Sequence, residues 1–269
     1  MKKLQSATIV VFILMIVLYC GVMLHDLFFV DRTAPVIWCN TPDIVVSVKD
    51  PQSALLEGVV AEDDRDGDIT KQVMIKGVSQ LITDNTAQVT YIVFDSADNM
   101  ATLTRIVRYA DYEKPRFSLQ QALNYTLEDE FRILDRLTAE DVLDGDISGS
   151  ICVISQNIMK EPGTYHVTVQ ATNSLGDTTT IPLKLVVREA GTSELIKLSA
   201  NLLYLEKGTP FRPESYIASV SAPNGTAVST EEVNIDNPVD PFNEGTYHVR
   251  YSITVKQQTY VVYLTVVVV

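Results

Sequence analysis

The densest chemistry in this chain is carboxylate. Glu62, Asp63, Asp64, Asp66 and Asp68 crowd into one short segment, Ala61-Glu62-Asp63-Asp64-Arg65-Asp66-Gly67-Asp68-Ile69. A related segment, Ala139-Glu140-Asp141-Val142-Leu143-Asp144-Gly145-Asp146-Ile147, follows 78 residues later. Hard cations such as Ca²⁺ are held by several oxygen ligands, which such segments supply. An EF-hand does not fit: with Glu62, Asp64, Asp66 and Gly67 as loop positions, Val73 falls where a bidentate Glu is required. A cadherin-like site remains open, in which acids of the Asp-Gly-Asp loop meet Asp95 or Asp111. The candidate Ca²⁺ ligands are therefore Glu62, Asp63, Asp66, Asp68, Asp95 and Asp111, with Glu140, Asp141, Asp144 and Asp146 in the second copy. The alternative reading is a tight turn, with Gly67 and Gly145 at positive φ and the Asp side chains bonding backbone amides. The second copy has Val142 for Asp64 and Asn173 for Asp95, which lowers its ligand charge.

The repeat behind these segments organises the chain. At the same 78-residue offset, Asp95-Ser96-Ala97-Asp98-Asn99 becomes Asn173-Ser174-Leu175-Gly176-Asp177. A more divergent third copy shares Gly245-Thr246-Tyr247-His248-Val249 with Gly163-Thr164-Tyr165-His166-Val167 and lacks the acidic segment. Repetition at this period marks an array of small modules. Within them apolar and polar residues alternate, as in half-buried strands. Tyr165, Val167, Val169 and Ala171 share one face, and Tyr247, Val249, Tyr251, Ile253 and Val255 do likewise. Further strands are expected over 44–48, 73–78, 103–109, 151–155, 181–188 and 260–269. The last is apolar on both faces, as an interior strand would be, although an edge strand recruiting a partner has the same pattern. Asp31-Arg32-Thr33-Ala34-Pro35 and Asp111-Tyr112-Glu113-Lys114-Pro115 mark two module starts, each proline stiffening its join. The join near Ala190-Gly191-Thr192 lacks this signal and is expected to be looser.

These motifs resemble a bacterial surface Ig-like domain, a family that also occurs in an insecticidal crystal protein. The resemblance is carried by Ala61 to Thr70, Val89 to Asn99 and Asp111 to Pro115, then by Ala139 to Ser148 and Gly163 to Asp177. In the third copy it rests on Phe211 to Ile217 and Gly245 to Tyr251. It implies Ig-like sandwiches on a bacterial surface or in secreted multidomain proteins, used as spacers or binding units, and no reaction. The expected fold is all-β: three tandem Ig-like β-sandwich modules after one N-terminal transmembrane helix. The boundaries are 1–30 for a cytoplasmic tip and anchor, then 31–111, 112–190 and a divergent 191–269.

The anchor is read from residues 4–24, which contain no charge. At ~1.5 Å per residue they reach across a ~30 Å hydrocarbon layer. Lys2 and Lys3 precede the run and Asp26 and Asp31 follow it, which keeps the tip in the cytoplasm and exports the rest. No small-residue cleavage site follows the run, so an uncleaved anchor is expected rather than a signal peptide. The exported part holds all 34 acids and 19 of the 21 bases, about −15 in net charge. That charge disfavours nucleic acid and anionic lipid as partners. Cys20 lies in the apolar run, while Cys39 and Cys152 fall in different modules, so no module has an internal disulfide.

His166 and His248 recur at matching positions, on the strand face opposite the core, and read as exposed residues rather than metal ligands. Tyr165 and Tyr247 suit either a tyrosine corner or an ordinary core position. Trp38 suits an interfacial anchor or a core. Asn124-Tyr125-Thr126 and Asn224-Gly225-Thr226 are formal glycosylation sequons. Neither a catalytic triad, a phosphate loop nor a Cys-His set is present, so an enzyme is not expected. No cofactor is implied beyond a possible Ca²⁺. The sequence thus points to a single-pass cell-surface protein whose extracellular modules act as a non-catalytic spacer or bind a protein or glycan. A Ca²⁺-stiffened, cadherin-like adhesion rod and an accessory subunit of an envelope enzyme are the alternatives.

Overall fold

The computed structural model describes residues 2–29, 31–82 and 85–269; the side chains of 2–9 and 25–29 also lie outside the described part. Helix α1 (Lys2–Phe29) contains the apolar run, which has no proline to interrupt it. Its described side chains, over residues 10–24, are all exposed to the surroundings. That stretch is about 22 Å of helix, short of the ~30 Å hydrocarbon core. Among the described residues no helix is long and apolar enough to cross a membrane. The remainder of the expected 4–24 span, and the flanking charges of Lys2, Lys3 and Asp26, lie outside the described side chains.

The rest of the chain is almost entirely β. The first segment contains β1 (Val36–Cys39), β2 (Asp43–Val46), β3 (Val59–Asp63), β4 (Gly67–Asp68), β5 (Met74–Val78), β6 (Thr86–Phe94) and β7 (Met100–Tyr109). They form two sheets, β1-β3-β4 and β2-β7-β6-β5. The second segment repeats the plan with β8 (Arg116–Leu119), β9 (Asn124–Thr126), β10 (Leu137–Asp141), β11 (Gly145–Asp146), β12 (Cys152–Gln156), β13 (Gly163–Thr172) and β14 (Thr178–Arg188). Its sheets are β8-β10-β11 and β9-β14-β13-β12. The third has β15 (Ile196–Leu198), β16 (Leu202–Leu205), β17 (Ile217–Val220), β18 (Asn234–Asp236), β19 (Gly245–Val255) and β20 (Gln258–Val268), in sheets β15-β17 and β16-β20-β19-β18.

In each segment the chain begins in the smaller sheet, crosses over, and pairs an early strand in parallel with the last one. These pairs are β2 with β7, β9 with β14 and β16 with β20. Chain entry and exit are thereby tied within every segment. The doubly apolar β20 is consequently an interior strand, bonded to β16 on one side and β19 on the other.

The alternating residues occupy the expected faces. Val167, Val169 and Ala171 are fully buried in the second core, as are Val249 and Tyr251 in the third. Fully burying a Val, Leu or Ile side chain contributes about 1.5–3 kcal/mol. Two core tyrosines spend their hydroxyls on backbone carbonyls distant in sequence. Tyr91 donates to the Leu55 carbonyl and Tyr251 to that of Pro213. Tyr165 and Tyr247 instead donate to carbonyls four residues upstream, Glu161 at 2.8 Å and Asn243 at 3.0 Å. That local bond has the character of a tyrosine corner.

The chain divides into two compact units, residues 1–110 and 111–269. The second and third β segments therefore share one unit, although the Ala190-Gly191-Thr192 join has no stiffening proline. Surface contact holds them. The Phe117 N–H donates to the Tyr204 hydroxyl at 2.9 Å, and the Arg116 guanidinium lies 5.2 Å from the Tyr204 ring centre. Asn124 Nδ2 donates to Glu194 Oε1 at 2.7 Å. Leu202 and Val267 pack against the second core, and Ala122 against the third.

The same contact gathers two histidines expected to lie apart. His166 remains exposed, with Nε2 3.0 Å from Lys184 Nζ. His248 is partly covered, with Nδ1 3.4 Å from the Thr265 hydroxyl. Burial, then the charges of Lys184 and His166, push the His248 imidazole down to about 4. The unfolded chain therefore binds a proton that the folded chain refuses between about pH 6.5 and 4, and stability falls as pH drops through that window. Melts of the detergent-solubilised chain at pH 7 and 4.5 should show His248→Gln losing less stability than wild type, by on the order of 2 kcal/mol. Equal losses would defeat this account.

Candidate functional site

The acidic segments lie at strand ends, where a hairpin must reverse. Strands β3 and β4 pair Glu62 with Asp68 and Asp63 with Gly67; β10 and β11 pair Glu140 with Asp146 and Asp141 with Gly145. Gly67 and Gly145 adopt φ +72° and +71°, the left-handed region that a Cβ disfavours. Asp63 Oδ1 accepts the N–H groups of Arg65 and Asp66 at 2.9 and 3.0 Å. These donors hold its carboxyl below the usual range. Asp141 Oδ1 does the same for Leu143 and Asp144.

Most of the other acids are structural. Asp66 accepts both the N–H and the hydroxyl of Ser96, at 2.6 and 2.8 Å, bracing one loop against the next. Asp144 braces Ser174 at the same distances. Asp68 accepts the Thr70 N–H and Asp146 the Ser148 N–H. The hydroxyls of Thr70 and Ser148, followed by these amides, lower their carboxyls. Glu62, Glu140 and Asp111 are exposed. The turn reading thus accounts for Asp66, Asp68, Asp144 and Asp146.

Asp63 and Asp95 are different, because the fold brings them together and adds Asp31. Each of the three offers a carboxylate oxygen within 4.8 Å of the others. Asp63 and Asp95 are 8% and 5% exposed, and the Asp31 side chain is 8% exposed. They are covered by their own loops, not by depth in the core. Asp95 Oδ1 accepts the N–H groups of Ala97 and Asn99, and its Oδ2 accepts Asn99 Nδ2 at 2.8 Å. Asn99 Nδ2 also donates to the Asp31 carbonyl at 3.3 Å. Asp31 Oδ1 accepts the Thr33 N–H, and its Oδ2 lies 3.6 Å from Nε of the half-exposed Arg65. Asp63 Oδ2 is buried and receives no hydrogen bond among the described residues. Asp31 carried no ligand expectation from sequence. Its one signal was its correspondence with Asp111 at a module start.

The second segment builds the same place from other groups. Asn173 stands where Asp95 does, Asp177 where Asn99 does, and Tyr112 enters beside them. Asn173 Nδ2 donates to Asp141 Oδ2 at 3.1 Å and to the Tyr112 hydroxyl at 2.8 Å. The Tyr112 hydroxyl donates to Asp177 Oδ2 at 2.8 Å, and the Asp177 N–H donates to Asn173 Oδ1 at 2.9 Å. Burial and Asp177 raise the Tyr112 phenol well above its ordinary value, so it stays a donor. Asn173 and Tyr112 stand in place of carboxylates, Asp177 in place of Asn99, and the buried oxygen of Asp141 is satisfied.

Comparison with known proteins gives no family. No protein-family model matches the chain, and no curated protein matches it. Among solved structures it is similar to the CBM51-2 and INT domains of Clostridium perfringens ZmpB, with 17% identity and a TM-score of 0.24 over 55% of this chain and 26% of that one. It is also similar to protocadherin gammaB7 EC3-6, with 11% identity and a TM-score of 0.22 over 88% and 78%. A lipoprotein from Bacteroides thetaiotaomicron matches with 15% identity and a TM-score of 0.20 over 86% and 98%. The chain spans 26, 38 and 28% of three clostridial chains to which it is similar.

The turn assignment has a direct test. Gly145→Val should lower the stability of the 111–269 unit by about 1–2 kcal/mol, because a β-branched residue resists positive φ. Space is not the obstacle, since nothing lies within 4 Å of a Cβ placed there. An unchanged chemical denaturation curve would refute it.

Proposed function

We propose that this protein is a membrane-tethered bacterial surface protein whose three Ig-like β modules serve as a non-catalytic spacer and binding element outside the cell. One observation carries the reading. An uncovered apolar helix, exposed throughout residues 10–24, precedes a strongly acidic all-β remainder with its own packed cores. Apolar side chains without a protein cover call for lipid or a partner, and the acidic remainder suits the aqueous side. Residues 4–24 act as the anchor, with the N-terminus cytoplasmic. A protein or a glycan at the surface is the ligand class, and nucleic acid is not.

A non-catalytic role is supported by how the polar groups are used. Asp66, Asp144 and their serine partners brace loops, and the buried Tyr91 and Tyr251 bond backbone carbonyls. A rod stiffened at its joins by cations would draw carboxylates from successive modules, whereas the observed cluster takes all three from residues 31–95.

Cell fractionation and protease shaving test the proposal. With a tag at Val269, the chain should sediment with membranes, and the tag should be cleaved from intact cells. Deleting residues 4–24 should shift the chain to the soluble fraction. A full-length chain that is soluble and protected inside intact cells would overturn it.

A further inference from the structure

We infer that the first β segment holds one divalent cation of the calcium type between Asp31, Asp63 and Asp95, and that the second segment has lost this site. Three nearly buried carboxylates whose oxygens approach within 4.8 Å repel one another. The half-exposed Arg65 offsets part of this, 3.6 Å from Asp31 Oδ2 and acting on Asp63 as well. The independent sign of a ligand is Asp63. The residue is 8% exposed and offers an oxygen to the cluster; one oxygen is engaged by two amides, and the other has no hydrogen-bond partner among the described residues. A buried polar oxygen left without a partner is costly and uncommon in folded proteins. A cation at the cluster would satisfy it and neutralise the repulsion together.

The second segment supplies the internal comparison. There the oxygen equivalent to Asp63 Oδ2 belongs to Asp141, and Asn173 donates to it, while Tyr112 fills the remaining space. Asn173 in place of Asp95, Asp177 in place of Asn99 and the added Tyr112 separate an open cluster of three carboxylates from a closed hydrogen-bonded network that keeps Asp141 and Asp177. All ligand atoms offered are carboxylate oxygens on loops, which suits the adaptable oxygen shell of Ca²⁺; Mg²⁺ demands stricter octahedral geometry and retains water. Because Asp31 begins the segment, the ion would pin the point at which the chain enters the first module. The inference does not depend on the membrane anchor.

Isothermal titration of CaCl₂ into the chelator-stripped, detergent-solubilised full chain tests it. Wild type should take up one Ca²⁺ per chain, with an affinity of about 10⁻⁴–10⁻³ M or tighter, as in extracellular modules. Its thermal midpoint should rise with Ca²⁺. Asp95→Asn should abolish both responses. It should fold, because Asn173 stands at that place in the second segment, and in Ca²⁺-free buffer it should melt at or above wild type. Asp63→Asn keeps an oxygen for the turn amides and should also lose the ion. Asp141→Asn should still bind one. No uptake by wild type at several millimolar Ca²⁺, full uptake by Asp95→Asn, or loss of uptake in Asp141→Asn would each overturn the site. Binding of MgCl₂ as tight as that of CaCl₂ would overturn the calcium assignment.

Discussion

A carboxylate that satisfies the amides of its own turn is the interaction on which the end of each of the first two sandwiches depends. Asp63 and Asp141 each close a hairpin by accepting two backbone N–H groups with one oxygen. Turn amides left without a strand partner need an acceptor, and the carboxylate supplies it locally. The carboxylate that does this is necessarily fixed in place. Its second oxygen then points away from the turn, and its neighbours decide what becomes of it. In one copy they are two more acids; in the other, an amide and a phenol.

Tying the ends of each segment is the complementary constraint. A parallel pair between an early strand and the last strand brings residues distant in sequence to one edge of the sheet. The antiparallel pairing of β1 with β3, Val36 opposite Glu62, then carries the segment start at Asp31 to the hairpin that holds Asp63. The cluster is thus a product of topology as much as of composition. The second and third segments add contact over their sides, through Arg116, Phe117 and Tyr204, and His248 is partly covered near Lys184.

Much of this was legible in the residues. Alternation over 164–172 and 247–255 marked the core strands, and the 78-residue offset marked the repeated hairpins with their glycines at positive φ. The two apolar faces of β20 fitted an interior strand or a partner-recruiting edge, and its pairing with both β16 and β19 decided for the interior. What was not legible depended on packing between distant positions. The join at 190–192 was expected to be loose because its linker lacks a proline, but side-surface contact holds it. His248 was expected to be exposed because it sits on the non-core face of its strand, but a neighbouring segment covers that face. Among the acids, Glu62, Asp66 and Asp68 looked no different from Asp63.

By itself the sequence determined the β period, the repeat, the turns and the concentration of negative charge, since these follow from local backbone preference and side-chain alternation. Only the tertiary structure decided which carboxylates meet. That outcome depends on three loops converging, and it turns on whether residue 95 or its counterpart 173 is an acid or an amide in that confined space. Charges of the same kind at the same spacing are harmless in water and consequential only where neighbouring chain excludes it.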